Sequence, residues 1–279
     1  MARDLGARTL RFVLCTSGGL SGALVLDRLL ASPRFEAAGI VRSTRALRPG
    51  QGLAAAAREY VERCGVAYAA YMACAAPLAD QALGARSVAA RARTQAIPLL
   101  ETDRINEPAS VAFIAQAKPD VLVSAFFNQR IGAAALAAAP LGGVNIHPGA
   151  LPGFRGVDPV FRARLAAAPA LEASVHRVTA EFDAGALLGR VAVAHEPGES
   201  VLRATARVYV AGAALLDGLA EAIAVRDPGR AQDEAAARYD TWPGRAEVAR
   251  LRGHGVALVH WSDLLHAGRI VESARTPPP

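Results

Sequence analysis

Leu141-Gly142-Gly143-Val144-Asn145-Ile146-His147-Pro148-Gly149-Ala150-Leu151-Pro152-Gly153-Phe154-Arg155-Gly156 changes character half way along. Leu141, Val144 and Ile146 predict a short β-strand, and Asn145 and His147, two residues apart, leave the same face of it. The strand cannot continue, because Pro148 and Pro152 lack N–H donors while Gly149, Gly153 and Gly156 permit tight turns. An amide and an imidazole therefore stand at a strand end beside a loop, where open parallel sheets bind ligands. Taken alone, Asn-x-His is more often an Asx turn followed by a satisfied core histidine.

Outward from this run, the chain alternates strand and helix signals. Leu10 to Cys15 reads as a buried strand, Thr16 to Gly22 as a glycine-rich turn, and the following residues as a helix to about Leu30. That order opens a Rossmann-like unit, whose helix N-terminus can hold an anion. The second strand, Phe35 to Val41, ends in Arg42-Ser43 without the acid that grips an NAD ribose. The glycines also depart from G-x-G-x-x-G, which weighs against an NAD(P)-binding oxidoreductase, the alternative from a different class. Further strands are expected at Ile97 to Leu100, Pro119 to Phe127, Ala173 to Thr179, Leu188 to Ala194 and Val256 to Val259. The continuous apolar run at 119–127 suits a central strand covered on both faces.

The expected fold is α/β, a Rossmann-like, mostly parallel twisted sheet with helices on both faces and a small C-terminal α+β extension. Residues 1–195 are expected to form one domain carrying a helical insertion at about 53–93, and 196–279 a helix to about Val225 plus the extension. Tyr60, Tyr68 and Tyr71 give the insertion an apolar side, expected to be core or a subunit contact, which leaves a homodimer open. Arg275 to Pro279 reads as a frayed tail.

The 279-residue chain is 52% hydrophobic and 20% charged, the profile of a globular protein with a sizeable core. Its formal charge of +6 comes from scattered arginines, Lys118 being the only lysine, so no continuous basic stripe for nucleic acid is indicated. Cys15, Cys64 and Cys74 form no C-x-x-C pair, and an odd count argues against a disulfide framework and for a cytoplasmic location. No apolar run has the length of a signal peptide or a membrane span.

His176 falls on the strand at 173–179, and Asp183 follows in the acidic turn Glu181-Phe182-Asp183-Ala184-Gly185. The set Asn-x-His-Pro-Gly-x-Leu-Pro-x-x-Arg-Gly, then His, then Asp-x-Gly resembles the catalytic domain of formyltetrahydrofolate-dependent formyltransferases. That family includes glycinamide ribonucleotide, methionyl-tRNA, amino-sugar and hydroxyornithine formyltransferases, and formyltetrahydrofolate deformylase. The resemblance covers roughly residues 9 to 195. It implies Asn145, His147 and Asp183 as catalytic residues and His176 as a nearby active-site histidine. It also implies N10-formyltetrahydrofolate as co-substrate and no metal. The pterin is expected against Phe126, Phe127, Asn128 and Ile131 and against the loop carrying Thr179, Ala180 and Glu181.

Arg155 and Gly156 are the candidate acceptor contacts, Arg155 as partner of an anionic group or else as a structural arginine. In the implied chemistry Asn145 donates to the oxyanion of a tetrahedral intermediate, a contribution of about 3 kcal/mol. His147 donates or transfers a proton, and Asp183 orients and charges that imidazole. The expected acceptor is the amine of a small molecule, an amino sugar nucleotide or a hydroxylated amino acid. Methionyl-tRNA and water are the alternative acceptors within the same chemistry.

Overall fold

The computed structural model describes residues 9–265 and Ala267. Five strands run parallel: β1 (Leu10–Thr16), β2 (Phe35–Ser43), β3 (Leu99–Thr102), β4 (Val121–Ala125) and β5 (Gly143–His147). They are separated by α1 (Gly19–Leu30), α2 (Leu53–Cys64), α3 (Val66–Ala75), α4 (Pro77–Leu83), α5 (Val88–Thr94), α6 (Pro108–Ala117) and α7 (Ala133–Ala137). After β5 come β6 (Arg155–Gly156), α8 (Pro159–Leu165), β7 (Leu171–Arg177), β8 (Leu187–Val193), α9 (Val201–Gly218) and α10 (Ala220–Ala224). β9 (Tyr239–Asp240), α11 (Arg245–Gly253) and α12 (Trp261–Leu265) complete the described chain.

The main sheet has the order β3-β2-β1-β4-β5-β7-β8, with β7 antiparallel to both β5 and β8. The chain winds outward through β2 and β3, then returns to the other side of β1 as β4. This reversal opens a crevice at the carboxyl ends of β1 and β4. All five residues of β4 are buried, as a strand covered on both faces requires. Leu14, Val123 and Val144 point into one apolar cluster with α1 and α9, whereas Val13, Cys15 and Leu122 point into another with Ile114 of α6. The period-two alternation thus builds two cores from one sheet.

The C-terminal part departs from expectation in two places. Val256 to Val259 is no strand: the carbonyls of Ala257 and Leu258 accept the N–H groups of Val201 and Leu202 at 2.9 and 3.0 Å. The first-turn donors of α9 have no partners within their own helix, and this segment supplies them. The helix expected to reach Val225 breaks at Leu219 into α9 and α10. α9 residues from Val201 to Leu216 and Val248, Leu251 and Leu258 join the same apolar cluster as the strands. The expected tail at 275–279 lies outside the described residues.

The insertion does form helices, α2 to α5; Tyr68 and Tyr71 are buried in the main cluster and Tyr60 and Met72 pack against it, and all four also line a cleft. β9 pairs in parallel with β6, Tyr239 opposite Arg155 and Asp240 opposite Gly156. The C-terminal extension is therefore stitched to the loop that follows the Asn-x-His strand. Gly156 adopts φ 97°, and a Cβ there would come within 2.1 Å of the Asp240 carbonyl oxygen, so only glycine allows this pairing.

Candidate active site

Sheet register explains how the polar residues meet. β5 pairs with β7 so that Asn145 lies directly opposite His176, and neighbouring residues across such a pair share a face. The Asn145 amide nitrogen is 3.0 Å from His176 Nε2. His176 Nδ1 lies 2.8 Å from the Arg177 carbonyl oxygen. A carbonyl only accepts, so Nδ1 carries the proton and Nε2 is the acceptor for Asn145.

Asp183 belongs to no strand. It reaches the same face through the β7–β8 connection, which folds back so tightly that a Cβ on Gly185 would lie 1.8 Å from the Arg177 carbonyl oxygen. Asp183 itself adopts φ 55°, a left-handed conformation that a non-glycine residue keeps only when its surroundings hold it. Several contacts hold it. Asp183 Oδ2 accepts the Gly156 N–H at 2.9 Å, and Gln232 Nε2 donates to the carbonyls of Asp183 and Gly185 at 2.8 and 2.7 Å. Gln232 Oε1 in turn accepts from Arg155 at 2.9 and 3.1 Å, and Arg155 forms a fork with Glu234 at 2.6 and 2.9 Å.

The network redirects the expectation for Arg155. Its guanidinium is buried and engaged by Glu234 and Gln232, and Arg155 does not line the cleft. It braces the Asp183 loop through Gln232 and presents no charge to a ligand. Nor does it bond loop carbonyls, its structural alternative.

His147 Nδ1 is 3.2 Å from Asp183 Oδ1, and Nε2 is 2.7 Å from the Phe154 carbonyl oxygen. By the same logic Nε2 carries a proton, so the Nδ1 side faces a carboxylate as a donor only when the ring is an imidazolium. Burial works against that charge, but Asp183 and the Phe154 carbonyl outweigh it and raise the His147 pKa above its ordinary value. Burial likewise opposes the Asp183 charge, yet His147 and the Gly156 N–H hold its carboxyl well below the usual carboxylate range. Both donors of His147 are thus committed. The N–H facing the reaction centre with slack is on Asn145, whose contact to Asp183 Oδ1 is a long 3.5 Å.

A pH dependence follows. The raised His147 contributes stability that is complete below its unfolded pKa, about 6.5, and is lost as pH rises through the folded value. The lowered Asp183 contributes stability present above its unfolded pKa, about 3.9, and lost as pH falls through the folded value. The pair is strongest between about pH 4 and 6.5, and His147 is expected to titrate above about 6.5 by NMR. In Asp183→Asn burial and the Arg155 charge, which both oppose the imidazolium, are left against the Phe154 carbonyl alone, so the titration should move to lower pH. A His147 that titrates identically in both proteins would contradict the pairing.

The four residues open on a cleft of about 830 Å³. Phe126, Phe127, Asn128, Ile131, Val178, Thr179, Glu181, Phe182 and Gly156 line it; Ala180 does not reach it. Asn128 faces the cleft but its amide is engaged, accepting from Ser43 at 2.6 Å and donating to the carbonyls of Arg45 and Ala46 at 2.7 and 3.2 Å. Phe126 adopts φ 51°, held by its N–H donating to the Tyr209 hydroxyl at 3.1 Å and its carbonyl accepting from the Ser17 N–H at 2.7 Å. Arg130 lies over the Phe182 ring, 5.1 Å from its centre.

A second group of lining residues, in contact with one another, comprises Tyr60, Tyr68, Tyr71 and Met72 of the insertion, Trp242 and Asp158. Asp158 accepts from Tyr68 at 3.0 Å, Tyr71 at 3.3 Å and the Phe161 N–H at 3.4 Å, and burial pushes its carboxyl up to about 6. Its only sequence signal is Asp-Pro, a helix start. Tyr209, Gln232 and Trp242 carried none, being brought in by α9 and the C-terminal extension. The glycine-rich turn is not an open anion site, because the Gly19 N–H donates to Asp80 at 2.9 Å and Asp80 is paired with Arg42 at 2.9 Å. Among the described residues no group of three or more His, Cys, Asp or Glu is arranged to hold a metal ion, and no helix is long and apolar enough to cross a membrane.

Residues 64–217 match the formyl transferase family, more than half of the chain, and the protein belongs to that family. A methionyl-tRNA formyltransferase of Roseiflexus castenholzii is 30% identical over 194 residues, 69% of this chain and 52% of that one. Another, from Mycolicibacterium paratuberculosis, is 34% identical over 137 residues, 49% and 44% of the two chains. The chain spans about half the length of these curated relatives. Among solved structures, phosphoribosylglycinamide formyltransferase from Anaplasma phagocytophilum superposes with a TM-score of 0.55 at 16% identity, covering 85% of this chain and 100% of that one. The sugar 3N-formyltransferase WlaRD, solved with dTDP and 5-N-formyl-tetrahydrofolate, gives 0.54 at 13%, covering 95% and 79%. These likenesses establish the formyltransferase fold.

Proposed function

We propose that the protein transfers the formyl group of N10-formyltetrahydrofolate to the amine of a small-molecule acceptor. The observation that carries this reading is the convergence of Asn145, His147 and Asp183, with Asn145 presenting a loosely held amide N–H to the cleft. The residues present fit the folate: Phe126, Phe127, Ile131 and Phe182 offer apolar walls to a flat heteroaromatic, and Arg130 is the cation beside them. When bound, the folate supplies the formyl carbon as an electrophile on its N10.

The protein's part is placement, charge and proton management. Asn145 donates to the formyl oxygen as negative charge grows there, and the buried imidazolium of His147 favours that charge electrostatically. A new N–C bond forms to the acceptor amine, the N10–C bond breaks, and the proton leaving the amine ends on N10. Asp183, ionised and within 3.6 Å of both histidines, is the group able to guide that proton through water. His176 accepts from Asn145 and so fixes which way the amide faces.

The test is calorimetry with a non-transferable formyl-folate analogue, followed by turnover with formyl-folate and amines. Binding in the micromolar range is expected, abolished by Phe126→Asp. An absence of binding at high micromolar concentration would overturn the co-substrate assignment. The names of the curated relatives favour a second reading, methionyl-tRNA as acceptor. Robust formylation of initiator methionyl-tRNA, with an affinity falling steeply as salt rises, would establish it over the small acceptor.

A further inference from the structure

The part of the cleft lining supplied by the insertion and Trp242 has a composition of its own. Tyr60 and Trp242 meet edge to face with ring centres 5.0 Å apart, Tyr68 lies 5.4 Å from Tyr71 and 6.3 Å from Trp242, and Met72 fills beside them. Tyr68 and Tyr71 are buried, whereas Tyr60, Met72 and Trp242 are half-buried and face the open space. Asp158 stands in this wall. It is two residues beyond Gly156, whose N–H binds Asp183, so it adjoins the reaction centre. Its hydrogen-bond partners are neutral donors, two phenols and a backbone N–H; among the described residues the Arg162 charge acts on it only from beyond 4.0 Å, without an ion pair. A carboxylate in an aromatic wall with no cation in direct contact is suited to receive one, since the ring faces add cation–π attraction to the charge pair.

An anionic acceptor would find the reverse. The helix N-terminus after β1, the natural phosphate cradle, is filled by Asp80. Of the arginines lining the cleft, Arg42 pairs with Asp80 and Glu101, Arg45 donates to the Asp103 carbonyl, and Arg130 lies over Phe182.

From these observations we infer that the wall of Tyr60, Tyr68, Tyr71, Met72 and Trp242 around Asp158 is an acceptor subsite for a non-phosphorylated diamine-type molecule. One nitrogen is formylated at Asn145 while a second, cationic nitrogen docks on Asp158. This rests on the formyl-transfer reading and narrows its acceptor: it disfavours an amino sugar nucleotide and keeps amino acids with a second amine.

The experiment compares 1,4-diaminobutane and ornithine with 2-phenylethylamine and a UDP-linked amino sugar as acceptors of the intact protein with formyl-folate. At least one of the two diamines should be formylated with KM at least about ten-fold below both other amines. Asp158→Asn should raise that KM at least about ten-fold and change kcat less, while the calorimetric Kd for the formyl-folate analogue stays within about two-fold. Trp242→Leu, which removes a ring and no charge, should also raise KM and serves if Asp158→Asn does not fold. Preference for the UDP-linked sugar, equal use of 2-phenylethylamine, or an unchanged KM in both variants would overturn the subsite. Failure of the wild-type protein to bind the folate analogue would overturn the formyl-transfer reading itself, a different result from altered acceptor preference with folate binding intact.

Discussion

Replacement of Asp183 by asparagine is expected to lower kcat/KM for formyl transfer by about 10³–10⁴-fold, the scale on which neutralising the carboxylate of a buried His-Asp couple acts. Three functions are lost together. The imidazolium of His147 loses its counter-charge 3.2 Å away, the centre loses the ionised group that guides the amine's proton, and Gly156 loses its carboxylate acceptor at 2.9 Å. Folate affinity should change little, because the apolar walls are untouched. Activity within about ten-fold of wild type would show that the His147–Asp183 pair is structural. Gln232→Ala supplies a graded comparison. It leaves the carboxylate in place but frees the 183–185 loop, so a smaller loss of kcat is expected, with the variant still saturable by folate.

The second large effect belongs to Asn145. Asn145→Ala should reduce kcat by about 10²–10³-fold, the range measured when one preorganised oxyanion donor is removed elsewhere. The amide cannot titrate, so the deficit should be the same across the pH range in which His147 stays charged. Asn145→Asp is not expected to rescue: a second carboxylate would face Asp183 where the amide nitrogen now lies 3.5 Å from Oδ1, and like charges so close oppose joint ionisation. Single-turnover measurements at saturating folate separate the chemical step from binding. An alanine variant with wild-type single-turnover rate would remove Asn145 from the reaction.

Much of this site was legible in local sequence, for a physical reason. Alternation along a strand fixes which face a side chain leaves by, so Val144-Asn145-Ile146-His147 already placed the amide and the imidazole on one face, and the prolines and glycines after it already required a loop. The continuous apolar run through Val121, Leu122 and Val123 demanded a strand covered on both sides, and hence the sheet to which the site belongs. These are short-range constraints, carried by neighbouring residues.

What tertiary structure decided depends on which distant segments pair. His176 reaches Asn145 only because β7 runs antiparallel to β5 in that register; a shift of one residue would turn it to the other face. Val256 to Val259 has the composition of a strand, but its carbonyls are used by the orphan donors of α9. Arg155 has the type and position of an anion ligand, and only the return of the C-terminal extension beside Gly156 brings Glu234 and Gln232 to take its charge. The phosphate cradle after β1 is legible in Gly18-Gly19, yet it is closed by Asp80 from a helix far along the chain. Polar side chains satisfy themselves with whatever partner the fold delivers. Their availability to a ligand is therefore a property of the packed chain, where a motif specifies only their type and the face they leave by.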